Sequence, residues 1–213
     1  MAGLRERHQH ERCERILDAA IELFAEQGYE ATKVTEIARR AAVAPTTVYN
    51  YFTTKRNILI AIATRHVRLA LPERLRLLRN LPEDPLAGVC AYEDLLAAQS
   101  TRLLSKECWR VIFGTLYEQP GGHAHRTQLR LNRLVRRHYR RLIQHYQRRG
   151  SIPADIDIEA LANLLLGVGT FYWMQFLADD QVTLQQLRTT VNNQVAIIFR
   201  GLGNNSQGQG DEG

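Results

Sequence analysis

Val34–Phe52 reads VTEIARRAAVAPTTVYNYF, and its spacing decides the fold. Thr35 to Ala42 carries a short helical pattern, a tight turn follows, and a second short helix opens with Pro45, Thr46 and Thr47. Ile37, Ala38, Ala41, Val43, Val48 and Phe52 recur at three- and four-residue steps, so they form one apolar face across both helices. Pro45 suits the first helical position, where its missing N–H is not needed. Thr46, Thr47, Tyr49, Asn50 and Tyr51 are left pointing outward. Hydroxyl, amide and phenol groups of this kind donate and accept toward phosphates and base edges, as the second helix of a helix-turn-helix does in a major groove. A helical hairpin with a merely wetted polar face has the same pattern, so pattern alone leaves both readings open.

The flanks narrow the choice. A helix expected from about His10 to Gln27 carries an apolar stripe of Ile16, Leu17, Ala20, Ile21, Leu23 and Phe24. Gly28 is placed to end it in a left-handed conformation, and the polar residues before His10 are expected to fray. Together with the helix-turn-helix, this makes a compact three-helix head.

The run ILDAAIELFAEQGYEATKVTEIARRAAVAPTTVYNYFTTKRNIL resembles the N-terminal signature of the tetracycline-repressor (TetR) family of bacterial regulators. Ala20, Phe24, Gly28-Tyr29, Thr32, Ile37-Ala38, Ala41, Val43, Tyr49, Phe52 and Lys55 carry the resemblance. It implies that Tyr49 and Lys55 hold phosphates, that Thr46, Thr47, Asn50 and Tyr51 face base edges or nearby phosphates, and that Lys33 and Thr35 lie beside the DNA backbone. Three positions depart from the family pattern. Lys33 replaces a common hydroxyl residue, Ala42 a Gly at the turn, and Ala44 a Ser cap whose loss typically costs on the order of 1 kcal/mol.

The 213 residues allow one large domain or two small ones, with an ordinary hydrophobic share of 45%. A net charge of +6 favours a polyanionic partner without identifying one. Cys13, Cys90 and Cys108 lie far apart without a CxxC pair, the usage of reduced cytoplasmic thiols. No signal peptide is read at the N-terminus. Leu161–Ala178 is almost wholly apolar, but Asn163, Gln175 and acidic flanks favour a helix buried against other protein over a membrane span.

The expected architecture is all-α throughout: a head over residues 1–54, a helical ligand-binding and dimerisation domain over 55–203, and a disordered tail over 204–213. Pro72 is expected to kink or end the helix that follows Lys55. Tyr92, Gln99, Trp109, Phe113, Tyr117, Phe171, Tyr172 and Gln175 are candidates for a pocket, although aromatic rows at helical spacing are more often plain core. The resemblance implies a homodimer built on the last two helices. Leu164, Val168, Val191, Val195 and Ile198 are the candidate contacts, with Gly167 and Gly169 allowing close approach.

Between His125 and Arg149 the chain carries nine arginines and no acid. A solvated basic face explains such a run, as does contact with an anionic effector, DNA or an acidic partner. His123 and His125 lack companion ligands, so no metal is expected, and neither a cofactor nor a catalytic set is read. The sequence thus points to a DNA-operator-binding homodimer, probably-repressor chemistry being implied by the family, answering to an unknown small molecule with no membrane partner. The alternatives are a TetR-like protein acting through protein partners, and an enzyme or carrier on the same scaffold.

Overall fold

The computed structural model describes residues 2–118 and 120–204. Among these the chain is helical throughout, with no strand: α1 (Ala2–Gln27), α2 (Val34–Arg40), α3 (Pro45–Phe52), α4 (Lys55–Leu77), α5 (Pro85–Leu103), α6 (Lys106–Glu118), α7 (His123–Arg148), α8 (Ile158–Ala178) and α9 (Leu184–Asn204). The expected disordered tail lies outside the described residues apart from Asn204. Expected fraying before His10 is not found: α1 begins at Ala2, in a segment of Glu, Arg and Gln that favours helix. Nor does Pro72 end α4, which continues to Leu77. Pro72 and Arg68, whose carbonyl loses its helical donor, are both exposed, so water satisfies that carbonyl.

Packing divides the chain into two units, and the division differs from a break at residue 54. The first unit joins Met1–Leu69 with Thr101–Thr127, and the second joins Ala70–Ser100 with the chain from Gln128 onward. In the first, Ile16, Ala20, Phe24, Ile37, Ala38, Val48, Phe52, Ile58, Leu59 and Ile62 form a continuous core. Leu104, Cys108 and Ile112, at the end of α5 and on α6, complete it. The apolar stripes of four short helices are too narrow to close a core alone, and α6 supplies the missing side.

Ion pairs hold the same unit from outside. Arg40 bridges Glu22 and Glu26 of α1, and Arg65 of α4 reaches Glu14 and Asp18. Arg40 is therefore engaged in joining α2 to α1.

In the second unit, Tyr92, Tyr139, Leu142, Ile143, Tyr146 and Leu165 are fully buried. Tyr146 donates to the Pro82 carbonyl at 2.8 Å, crossing α5 at Gly88, where an added Cβ would lie 2.1 Å from the phenol oxygen. Arg188 of α9 pairs in bidentate fashion with Asp94 of α5. Among the described residues, α8 alone is long and apolar enough to cross a membrane by length and composition, and 28% of that apolar window is buried in the protomer.

The turn between α2 and α3 shows how Ala42 is accommodated. Val43 N–H bonds to the Ala38 carbonyl at 3.0 Å and Ala42 N–H to that of Arg39 at 3.2 Å, the paired closure of a Schellman motif. This closure places Ala42 at φ +53, in the left-handed region. A Cβ there is strained by roughly 1–2 kcal/mol, partly offset by the lower chain entropy of alanine when unfolded. Ala42→Gly is therefore expected to stabilise the head by about 0.5–1 kcal/mol, measured as a rise in denaturant midpoint at unchanged m-value; a fall would contradict the strain.

Candidate functional site

α3 presents the candidate reading face. Its start, Ala44, is extended (ψ 146) and makes no side-chain cap, while Pro45 at the first helical position pre-sets φ. Val48 and Phe52 are buried, so Thr46, Tyr49 and Asn50 are directed outward; Tyr49 is 51% exposed, and Thr47 is half-buried. Tyr51 lies at the edge, its hydroxyl donating to the Gln9 carbonyl at 3.2 Å. That bond ties the far end of α1 to α3. Lys33 and Thr35 are exposed at the start of α2. Glu36 accepts the Lys33 N–H at 2.9 Å, replacing half of the cap that a hydroxyl residue at Lys33 would otherwise make.

Lys55 departs from its expected role. Its Nζ donates to the carbonyls of Tyr29 (2.7 Å), Glu30 (3.2 Å) and Thr32 (3.1 Å), and lies 4.2 Å from the Tyr29 ring centre. An ammonium has three donors, and all three are engaged. Lys55 therefore locks the turn after α1 and has no donor left for a phosphate. The N–H groups of the same turn are met from α6, where Glu107 accepts from Tyr29 and Glu30, each at 3.0 Å. Gly28 at φ +83 admits that carboxylate, since a Cβ there would lie 3.0 Å from Oε2.

The pocket candidates fall into both units. Trp109 packs partly buried on the first unit's core, with its ring 6.4 Å from that of Phe113; the side chain of Tyr117 is outside the described set. Phe171 (51%) and Gln175 are exposed on α8 and Tyr172 is half-buried, so Phe171 and Gln175 do not line an enclosed space within the protomer.

Tyr92 and Gln99 are fully buried, and around them lies a polar cluster that sequence reasoning did not assemble. Tyr92 Oη and His138 Nδ1 are 2.7 Å apart, the Tyr139 hydroxyl donates to Glu93, and Arg74 Nε donates to Gln99 Oε1 at 2.7 Å. Gly169 makes room for Glu93: a Cβ there would lie 2.9 Å from its carboxylate, so this glycine serves a contact within the protomer. Burial pushes Glu93 up to about 7 despite the Tyr139 hydrogen bond, and burial with the nearby Arg74 pulls His138 down to about 4. Polar side chains four or more residues apart on α4, α5 and α7 give no local signal. Their meeting is a tertiary fact.

Among the dimer candidates, Leu164 is 50% exposed and Val168 and Ile198 are half-buried, on a face shared with Phe171, Met174 and Ile197. Val191 and Val195 are sealed in the protomer core, so they support this face from behind. On α7, Arg140 pairs with Glu159, Arg126 donates to the Gly121 carbonyl and Arg133 to that of Leu129. His125 Nδ1 accepts the Gly121 N–H, and no metal-binding cluster occurs among the described residues.

A three-helix head with an outward polar second helix, carried on helices alone, defines a helix-turn-helix protein. Residues 16–62 match the family model described as bacterial regulatory proteins, tetR family. The chain belongs to this TetR family. It is 49% identical over 47 residues to the fatty acid metabolism regulator protein of Bacillus subtilis, covering 22% of this chain and 24% of that one. It is 42% identical over 87 residues to the transcriptional repressor KstR of Mycolicibacterium smegmatis, covering 41% and 39%. These matches thus span between about a quarter and two-fifths of those relatives' length. Thermus thermophilus FadR, a TetR-family repressor solved with lauroyl-CoA, shares the fold at TM-score 0.68 and 22% identity, over 88% of this chain and 93% of that one.

Two outcomes test this geometry. Lys55→Ala, leaving three carbonyls without donors, is expected to lower head stability by about 1–3 kcal/mol. The salt dependence of DNA binding should stay unchanged; a flattened slope would mean that Lys55 reaches phosphate. For the polar cluster, the raised Glu93 makes the folded form bind a proton more readily than the unfolded chain, a contribution lost as pH rises from about 4.5 through 7. The depressed His138 acts oppositely, losing stability as pH falls from 6.5 through 4. The two nearly cancel across the shared window. Glu93→Gln is expected to expose a stability that rises with pH between about 4 and 6.5, as read from urea midpoints; an unaltered pH profile would count against it.

Proposed function

We propose that the chain is a cytoplasmic, homodimeric transcriptional repressor that leaves a near-palindromic operator when a small molecule enters its helical body. The observation that carries this is the outward face of α3. Thr46, Tyr49 and Asn50 are exposed there, on a helix whose other side is sealed by Val48 and Phe52. A recognition helix so backed holds its donors and acceptors at fixed spacing for base edges and phosphates. Residues 1–54 supply the reading surface, and 55–203 supply effector binding and pairing.

The open apolar face of Leu164, Phe171, Met174 and Ile197 supports pairing of α8 and α9 with their mates. Two joined heads turn the second half-site contact into an intramolecular one. An effector lowers operator affinity by as much as it prefers the form in which the heads no longer match successive grooves. Acyl-bearing effectors are the first to try, since FadR of T. thermophilus was solved with lauroyl-CoA.

A footprint on the promoter beside its own gene, with and without candidate ligands, tests the whole. Within the head, Tyr49→Ala is expected to weaken binding to every sequence, whereas Thr47→Ala and Asn50→Ala should each remove roughly 1–3 kcal/mol of discrimination at single positions. Equal loss on specific and random DNA for all three variants would contradict the assignment.

A further inference from the structure

We infer that Arg74 anchors the anionic group of the effector, an amphipathic carboxylate or phosphate, within the second unit. The inference rests on the reading that a small molecule enters this unit, and it names that molecule's charge and the residue that meets it.

Arg74 lies near the C-terminal end of α4 and is 4% exposed. Its Nε donates to Gln99 Oε1 at 2.7 Å. The Gln99 amide, itself fully buried, donates onward to Glu73 Oε2 at 2.8 Å and to the Ala70 carbonyl at 3.4 Å. Arg74 makes no ion pair among the described residues, and Glu73 is linked to it by hydrogen bonds only through Gln99.

The other groups of the cluster carry little compensating charge. Tyr92 and Tyr139 are both held well above the ordinary tyrosine range by burial, so they stay neutral. His138 is neutral at pH 7, and Glu93, pushed up to about 7, is partly protonated and engaged by Tyr139. Burial also draws Arg74 below its ordinary value, a sign of how costly this charge is to keep. The dipole at the end of α4 and Glu73 offset a fraction of that desolvation.

The two Nη nitrogens form no hydrogen bond within the unit. Among the described residues, the buried side-chain atoms left without a partner are Arg65 Nε and Asn192 Oδ1. The Arg74 Nη groups are not in that class, so they open onto accessible space instead of packed core. A planar guanidinium with its fork free is suited to a carboxylate or phosphate in bidentate geometry. Leu142, Ile143 and Leu165, all fully buried in the same unit, provide apolar surroundings for the remainder of the molecule.

The test uses the full chain, with sodium dodecanoate, sodium dodecyl phosphate and dodecan-1-ol as probes below their micellar concentrations, followed by calorimetric titration. Both anions are expected to bind at least tenfold more tightly than the alcohol. Arg74→Gln should bring them within about threefold of the alcohol, and Arg74→Lys should retain part of the preference. Far-ultraviolet dichroism and operator binding without ligand should match the native protein in both variants, which separates lost anchoring from lost folding. Native protein with no preference for the anions, or Arg74→Gln with the preference intact, overturns the inference. Promoter release is read separately: anions that bind through Arg74 without releasing DNA support the anchor and remove the repressor reading.

Discussion

The turn after α1 is the constraint on which the head depends. Its carbonyls at Tyr29, Glu30 and Thr32 converge on the Lys55 ammonium, while its N–H groups at Tyr29 and Glu30 converge on the Glu107 carboxylate. A turn leaving a helix exposes backbone groups that water or side chains must satisfy. Here two charges of opposite sign, from α4 and α6, do so at once. Because charge-assisted hydrogen bonds are the stronger kind, the turn serves as a joint linking α1, α4 and α6. Moving α6 would pull on the turn that leads into α2, which gives the first unit a route by which helices outside the helix-turn-helix can bias its position.

How far this was legible from residues varied with the range of the contact. The helix-turn-helix, the Gly28 stop and the outward face of α3 follow from spacing within a few residues, and the structure has each of them. Lys55 illustrates the limit. Its identity and position were visible, but its partners are carbonyls more than twenty residues earlier, and only the fold shows that its donors are consumed. The same holds for Arg74, Glu93, His138 and Tyr139, which lie on three helices and carry no shared local pattern. Val191 and Val195 mark a further limit: helical periodicity identifies an apolar stripe, but not which part of a wide stripe faces its own subunit and which faces outward.

Glycine and alanine occupy telling places in this chain. Gly88 and Gly169 sit where Tyr146 and Glu93 press against a helix, so packing dictates them. Ala42 sits where the backbone favours glycine, yet the Schellman closure forms around it. The local strain is tolerated because Ile37, Ala38, Ala41 and Val48 on either side are fixed in one core.

Charge distribution ties the head to the body. The net +6 includes nine arginines between His125 and Arg149, so the remainder of the chain is net −3. Residues 1–54 alone hold seven basic and eight acidic side chains, a net of −1, and several of those acids are engaged with Arg40 and Arg65. A head with so little net positive charge gains little from the counterion release that drives sequence-independent binding. Its proposed affinity must then come from directed contacts on α3 and from holding two heads at fixed separation. The apolar face left open on α8 and α9 is thus as necessary to DNA recognition as Thr47 or Asn50, because a single head of this charge would bind weakly and two coupled ones would not.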